Sequence, residues 1–207
     1  MPASVQFYFG IGSRYSYLAA TQLDRLRAET GATFAWRALY SPDLIARSGT
    51  DPFAEATRRG QYRADYRSRD ARRWSALYRV PYVEPDWSAV DWRRLALACV
   101  AAEGRGCGEA YARRAFSACF GGGAPPPRGT DDLIALGTGL GLDADFGATI
   151  DSAETARRHE QNLADALAAG AFGVPSFVTV DGGLFFGQDR LPLLRHHLMA
   201  PQQTVAI

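Results

Sequence analysis

The period of the hydrophobic positions changes along the chain, and each change marks a different kind of element. Ser4-Val5-Gln6-Phe7-Tyr8-Phe9 is a run of β-formers, which predicts a short strand. Gly10-Ile11-Gly12 follows as a turn, and Ser13 stands where a helix N-cap is expected. The next segment carries Tyr17, Leu18, Leu23 and Leu26 at roughly helical spacing and closes at Gly31. Thr33-Phe34-Ala35-Trp36-Arg37-Ala38-Leu39 predicts a second short strand. From about Ser41 to Asp165 strand-type alternation is missing. Helical periodicity recurs there around 53–79, 90–103, 108–119, 130–137 and 152–169, and Gly121-Gly122-Gly123 with Pro125-Pro126-Pro127 marks an exposed connection. The tail returns to strands. Ser176-Phe177-Val178-Thr179-Val180 and Leu184-Phe185-Phe186 flank an Asp181-Gly182-Gly183 hairpin turn. A final helix is expected from near Asp189 to about Met199. The predicted order is β-α-β, a helical block, then β-β-α.

Composition narrows the function classes. The chain has 207 residues, 47% hydrophobic and 22% charged, with a net charge of +1. That is ordinary for a soluble globular enzyme and gives no strong field toward nucleic acid or an anionic membrane. All 23 basic residues are arginine, which removes Schiff-base lysine chemistry and the P-loop lysine. The N-terminus runs directly into the first strand without a basic or apolar leader, and no apolar run is long enough to span a bilayer. Cys99, Cys107 and Cys119 are an odd set without a Cys-x-x-Cys pair. They are expected to be reduced thiols in a cytoplasmic protein, and no zinc template fits them.

Three segments carry candidate chemistry. Ser13 follows a strand and tight turn, where it either caps the helix or faces an anion beside unpaired backbone N–H groups. Gly10-x-Gly12 is a poor dinucleotide fingerprint, because Tyr15 occupies the third glycine position. Gly137-Thr138-Gly139-Leu140-Gly141 reads as a helix end and loop. Gly173-Val174-Pro175-Ser176 stands directly before a strand. A cis Val174-Pro175 bond there would leave the Val174 backbone free to pair with a peptide-like ligand. In Phe185-Phe186-Gly187-Gln188-Asp189-Arg190-Leu191, Asp189 either caps the last helix or belongs to a carboxylate-binding helix start. The arginine-rich stretch Arg58, Arg59, Arg63, Arg67, Arg69, Arg72 and Arg73 with Tyr62, Tyr66 and Trp74 reads as a solvated helical face interrupted by Asp65 and Asp70.

Together these segments resemble the 2-hydroxychromene-2-carboxylate isomerases and kappa-class glutathione transferases of the DsbA-like thioredoxin superfamily. The resemblance rests on Phe7-Tyr8-Phe9 through Ser13-x-Tyr15-Ser16-Tyr17-Leu18-Ala19, on Gly170-Ala171-Phe172-Gly173-Val174-Pro175, and on Phe186-Gly187-Gln188-Asp189-Arg190-Leu191. A weaker match is Arg63-x-x-Tyr66-x-x-x-Asp70-x-x-Arg73-Trp74, leading to Val80-Pro81 and Pro85. The fold it implies is α/β, a thioredoxin-like fold (β-α-β … β-β-α) with a large all-helical insertion. Residues 1–40 and 165–207 would form the thioredoxin-like domain and 41–164 the helical insertion domain.

The resemblance implies glutathione as cofactor. Ser13 would face its sulfur, Val174 before Pro175 would hold its cysteinyl backbone, and Gln188, Asp189 and Arg190 would hold the γ-glutamyl end. Arg63 and Asp70 would add further contacts, and Tyr15 with Arg14 would border the substrate pocket. The implied activity is isomerisation of a conjugated aromatic-pathway intermediate by reversible thiolate addition, in a cytoplasmic homodimer with a small-molecule electrophile as partner. A glutathione transferase acting on another electrophile and a non-catalytic binding module are the alternatives. This chain departs from the family pattern at Gly10, where an aspartate is usual, at Gly12, where a serine or leucine is usual, and at Arg14, where a proline is usual. Arg14 has three open roles: favouring a thiolate, narrowing the pocket, or binding a substrate carboxylate.

Overall fold

The structure, a computed structural model, describes residues 3–49, 63–123 and 125–200. Strand β1 (Ser4–Phe9) is central. It pairs in parallel with β2 (Thr33–Ala38) and antiparallel with β3 (Ser176–Thr179), which pairs antiparallel with β4 (Leu184–Phe186), so the sheet order is β2-β1-β3-β4. Phe7 lies opposite Trp36 in one neighbour and Phe177 in the other. Its ring stacks on Phe177 at 5.0 Å and meets Trp36 edge-on at 5.0 Å. Val5, Phe7 and Phe9 therefore bury one face of β1, while Tyr8 enters a second cluster with Leu39, Leu44, Leu163 and Ala166 on the other. The period-2 alternation thus serves two cores, one on each side of the sheet.

Helix α1 (Arg14–Ala20) and helix α2 (Leu23–Thr30) replace the single helix expected over this segment. Thr21 makes the break: its N–H caps α1 and its hydroxyl donates to the Leu18 carbonyl at 2.7 Å, a local bond that competes with helix continuation. Gly31 ends α2 at φ 69°, a conformation glycine adopts without a Cβ penalty.

Between β2 and β3 the described residues hold helices and irregular chain. They are α3 (Ser41–Ser48), α4 (Ala64–Tyr78), α5 (Trp92–Gly104), α6 (Gly108–Phe120), α7 (Thr130–Leu136), α8 (Phe146–Ile150) and α9 (Ala153–Ala168). The expected helical segment 53–79 is seen from Ala64 onward, and its start, with Arg58, Arg59 and Tyr62, lies outside the described residues. The block is less uniform than its periodicity suggests. Residues 79–91 run irregularly with only a short 3-10 turn at Trp87–Ala89. Apolar α5 and α6 fill the larger core with Leu95, Val100, Tyr111, Phe116 and Phe120. On the opposite face α9 packs on α3 and β2.

The final helix begins as a 3-10 turn, Gln188–Arg190, and continues as α10 (Leu191–Met199). No helix among the described residues is long and apolar enough to cross a membrane.

Candidate functional site

The turn after β1 places Ser13 at the start of α1. Its N–H donates to the Gly10 carbonyl at 3.0 Å, and its Oγ accepts from the Ser16 N–H at 3.2 Å. Ser13 is thus a true N-cap, and it is also partly exposed, with no acceptor for its hydroxyl proton among the described residues. Both expected roles, cap and ligand contact, are compatible in the one side chain.

Facing this turn is the loop before β3. The Val174-Pro175 bond is cis. The loop is close enough to matter at Gly10, where an added Cβ would lie 3.1 Å from Val174 Cγ2 and 3.0 Å from Ser41 Oγ. Two segments converge on it, and a side chain there would press on both. The loop is held from behind: Ser176 Oγ donates to the Gly173 carbonyl at 2.8 Å, and the Gly187 N–H donates to the Pro175 carbonyl at 2.9 Å. The Val174 N–H and C=O, by contrast, have no hydrogen-bond partner among the described residues. A free amide pair on the loop that faces the Gly10 turn is an edge of the kind an extended peptide can pair with.

The 3-10 turn carrying Gln188, Asp189 and Arg190 packs beside α1. Gln188 is buried, and its Oε1 accepts from the Tyr78 hydroxyl at 2.6 Å. Burial and the nearby Asp189 charge push the Tyr78 phenol up to about 12, so it remains a donor at neutral pH. Asp189 does not cap α10; its carboxylate takes the Arg190 Nη1 at 2.6 Å, and both side chains are about half exposed. Asp70, on α4, accepts from the Tyr15 hydroxyl at 3.0 Å, which ties α4 to α1. Burial first, and the Asp70 charge second, raise the Tyr15 phenol well above its ordinary value. Arg63 stands apart: it precedes α4, is exposed, and pairs with its neighbour Asp65 at 3.1 Å. Ser13 and the 188–190 turn therefore meet at α1, while Val174 stands against Gly10 in the turn before it and Pro175 is hydrogen-bonded to Gly187. Asp70 reaches α1 through Tyr15, and Arg63 makes no bond to the group.

Sequence patterns do not single out Glu84. It lies in the irregular stretch after α4, where its Oε1 binds Arg14 Nη2 at 2.7 Å and Trp87 Nε1 at 3.1 Å. Its Oε2 accepts from the Tyr82 hydroxyl and from Ser68 Oγ at 3.3 Å. Arg14 is buried, its guanidinium carbon 5.1 Å from the centre of the Trp87 ring. Trp87 in turn meets Trp92 at 5.2 Å, and the Trp92 ring lies 3.0 Å from where a Gly12 Cβ would be. The glycine and arginine departures are thus coupled: Gly12 makes room for Trp92, and Arg14 is clamped beneath Trp87. The visible signal was the unusual density of Pro81, Tyr82, Pro85 and Trp87 in a stretch without helical period.

Among the described residues no group of three or more His, Cys, Asp or Glu is placed to hold a metal ion. Burial raises all three free thiols, Cys119 to about 12, so they are not thiolates near neutral pH.

A sheet of order β2-β1-β3-β4, a cis-proline loop, and serine at the helix start define a thioredoxin-fold protein that lacks the attacking thiol. The DsbA-like thioredoxin domain matches residues 4–199, and the chain belongs to that family. Among its relatives, the 2-hydroxychromene-2-carboxylate isomerase of Sphingobium xenophagum is 29% identical over 201 residues, 96% of this chain and 100% of that one. The protein of the same name from Pseudomonas putida is 30% identical over 193 residues, 92% of this chain and 91% of that one. A solved 2-hydroxychromene-2-carboxylate isomerase superposes with a TM-score of 0.79 at 26% identity, covering 94% of each chain. A cytosolic disulfide reductase from Pseudomonas aeruginosa, TM-score 0.62 at 20% identity over 94% of this chain and 98% of that one, shares the fold.

Proposed function

We propose that the protein is a glutathione-dependent isomerase of the 2-hydroxychromene-2-carboxylate type. Relatives bearing that name match nearly the whole chain. The observation that carries the glutathione part is the unpartnered Val174 amide edge facing the turn that leads from Gly10 to Ser13. A tripeptide thiol fits such an edge, because its cysteinyl backbone has the complementary donor and acceptor.

When bound, glutathione supplies a thiolate that adds reversibly to a conjugated carbon, turning a double bond into a rotatable single bond. The chain's own residues do the rest. Ser13 donates its uncommitted hydroxyl proton toward the sulfur charge, and a charge-assisted bond of this kind favours the thiolate over the thiol. Val174 fixes the cysteinyl backbone. Asp189 and Arg190, half exposed and already paired to each other, exchange that pair for the ammonium and carboxylate of the γ-glutamyl end. Gln188, gripped by Tyr78, holds this turn in place. The same proposal makes the protein a cytoplasmic homodimer acting on a small conjugated electrophile.

Calorimetry with glutathione on the wild type and on Asp189→Ala, followed by turnover of 2-hydroxychromene-2-carboxylate with and without glutathione, tests this. Binding weakened about tenfold by Asp189→Ala, with glutathione recovered unchanged after turnover, supports it. Consumption of glutathione into a conjugate would establish the transferase alternative instead. Absence of glutathione binding at cellular concentrations would refute the mechanism.

A further inference from the structure

The Arg14–Glu84 pair is incomplete in a specific way. A guanidinium presents its N–H groups as a planar fork suited to both oxygens of one carboxylate. Glu84 does not offer both. Its Oε1 takes Arg14 Nη2 at 2.7 Å and is shared with Trp87 Nε1, while its Oε2 is occupied by Tyr82 and Ser68. Arg14 Nη1 is left buried with no hydrogen-bond partner among the described residues, on a residue only 8% exposed. Buried polar atoms are nearly always satisfied, and an exception calls for an explanation.

The surroundings supply one. Arg14 directly follows Ser13, and its guanidinium lies against Trp87, which is 37% exposed and rests on Trp92 beside the Gly12 turn. A partly open indole pair next to a cation with an uncommitted N–H suits a planar, conjugated molecule that ends in a carboxylate.

We infer that Arg14, oriented by Glu84, anchors the carboxylate of a planar conjugated substrate that packs on the Trp87–Trp92 pair. Glu84 is the positioning residue, and it also competes: its own charge occupies one arm of the fork. The idea rests on the isomerase proposal for the identity of the second reactant, but the anchor itself is measured without glutathione.

The probes are trans-cinnamate and its neutral isostere trans-cinnamamide, titrated by quenching of tryptophan fluorescence. The wild type is expected to bind the carboxylate about tenfold more tightly than the amide. Arg14→Met should abolish that preference, with folding checked by circular dichroism. Glu84→Gln keeps Arg14 and removes the competing charge, so it should raise cinnamate affinity several-fold and leave cinnamamide unchanged. Equal binding of the two probes to the wild type would overturn the assignment. So would a preference that survives Arg14→Met, or a Glu84→Gln variant in which both affinities move together. Because glutathione also carries carboxylates, its calorimetric affinity is measured in the same variants. If it rises in Glu84→Gln while that of cinnamate does not, the anion at Arg14 is the tripeptide's and the assignment falls. A wild type that distinguishes the probes but binds no glutathione would sink the isomerase proposal and leave the anchor standing.

Discussion

At the residue scale, Ser13 does two jobs that mutation separates. Removing Oγ takes the cap from the Ser16 N–H, and loss of such a cap costs about 1 kcal/mol. It also removes the hydroxyl that the proposed mechanism turns toward a bound sulfur. Ser13→Ala is therefore expected to lower the unfolding free energy by about 1 kcal/mol and to cut turnover far more than that loss explains. Denaturant titration and steady-state kinetics on one preparation check both. Ser13→Gly, a cap only a few tenths of a kcal/mol poorer than serine, should lose turnover with almost no loss of stability; retained turnover in either variant would remove Ser13 from the chemistry. Gly10 gives a second test. Any side chain there meets Ser41 and Val174 at 3.0 and 3.1 Å, tighter than ordinary van der Waals contact. Gly10→Ala is expected to destabilise by about 1 kcal/mol and to weaken ligand binding by displacing Val174. Unchanged affinity would show that the cis-proline loop does not hold the ligand.

At the scale of elements, the turn from β4 into α10 depends on Gly187. Its φ of 101° lies where side chains are rarely found, and an added Cβ would collide with the Asp189 carboxylate. Gly187→Ala should cost about 1–3 kcal/mol and misplace Asp189 and Arg190, so urea midpoint and glutathione affinity should fall together. A variant with normal stability and normal binding would show that the turn relaxes freely. The strands and this turn were legible in the sequence because local pattern determines them: β-formers at alternating positions in Val5, Phe7 and Phe9, a glycine hairpin, a proline before β3. The break in the first helix was not, since Thr21 is unremarkable until its hydroxyl finds the Leu18 carbonyl. Helix α3 carried its own signals, Pro42 in its first turn and Gly49 past its end, yet eight residues with one buried leucine show too little period to stand out. Of the candidate site, Ser13, Val174 and the 188–190 turn were readable as turn chemistry. Glu84 was not: its stretch stands out by its prolines and aromatics, but nothing local to position 84 or position 14 links the two.

At the scale of the whole molecule, one side of α9 fastens the helical block to the sheet through polar groups. Asn162 Nδ2 donates to the Ala38 carbonyl at 2.9 Å and to Glu103 Oε2 at 3.0 Å, and Glu103 binds Arg37 at 2.5 Å. One turn earlier, His159 Nε2 accepts the Tyr40 N–H at 3.0 Å, with the residue only 2% exposed. That bond requires a neutral ring. Burial is the larger influence and lowers the imidazole pKa; Arg93 and Arg47 also lower it, against Asp43 and Glu160, which raise it. As pH falls through the ordinary histidine value of about 6.5, the unfolded chain therefore takes up a proton that the folded chain refuses. Stability then rises with pH, so this contribution is complete above about pH 6.5 and declines as the solution is acidified toward the lower folded value. His159→Gln keeps an acceptor for Tyr40 without a titrating ring. The expected result is a small fixed loss of about 1 kcal/mol and a flatter profile between about pH 7 and 5, read from urea midpoints. The lowered carboxylates, Glu29, Glu160 and Asp181 among them, act further into acid, below their ordinary range of about 4, and leave this window to histidine. If wild type and His159→Gln lose stability in parallel over that range, the slope does not come from His159, and α9 is not the acid-sensitive fastening of the fold.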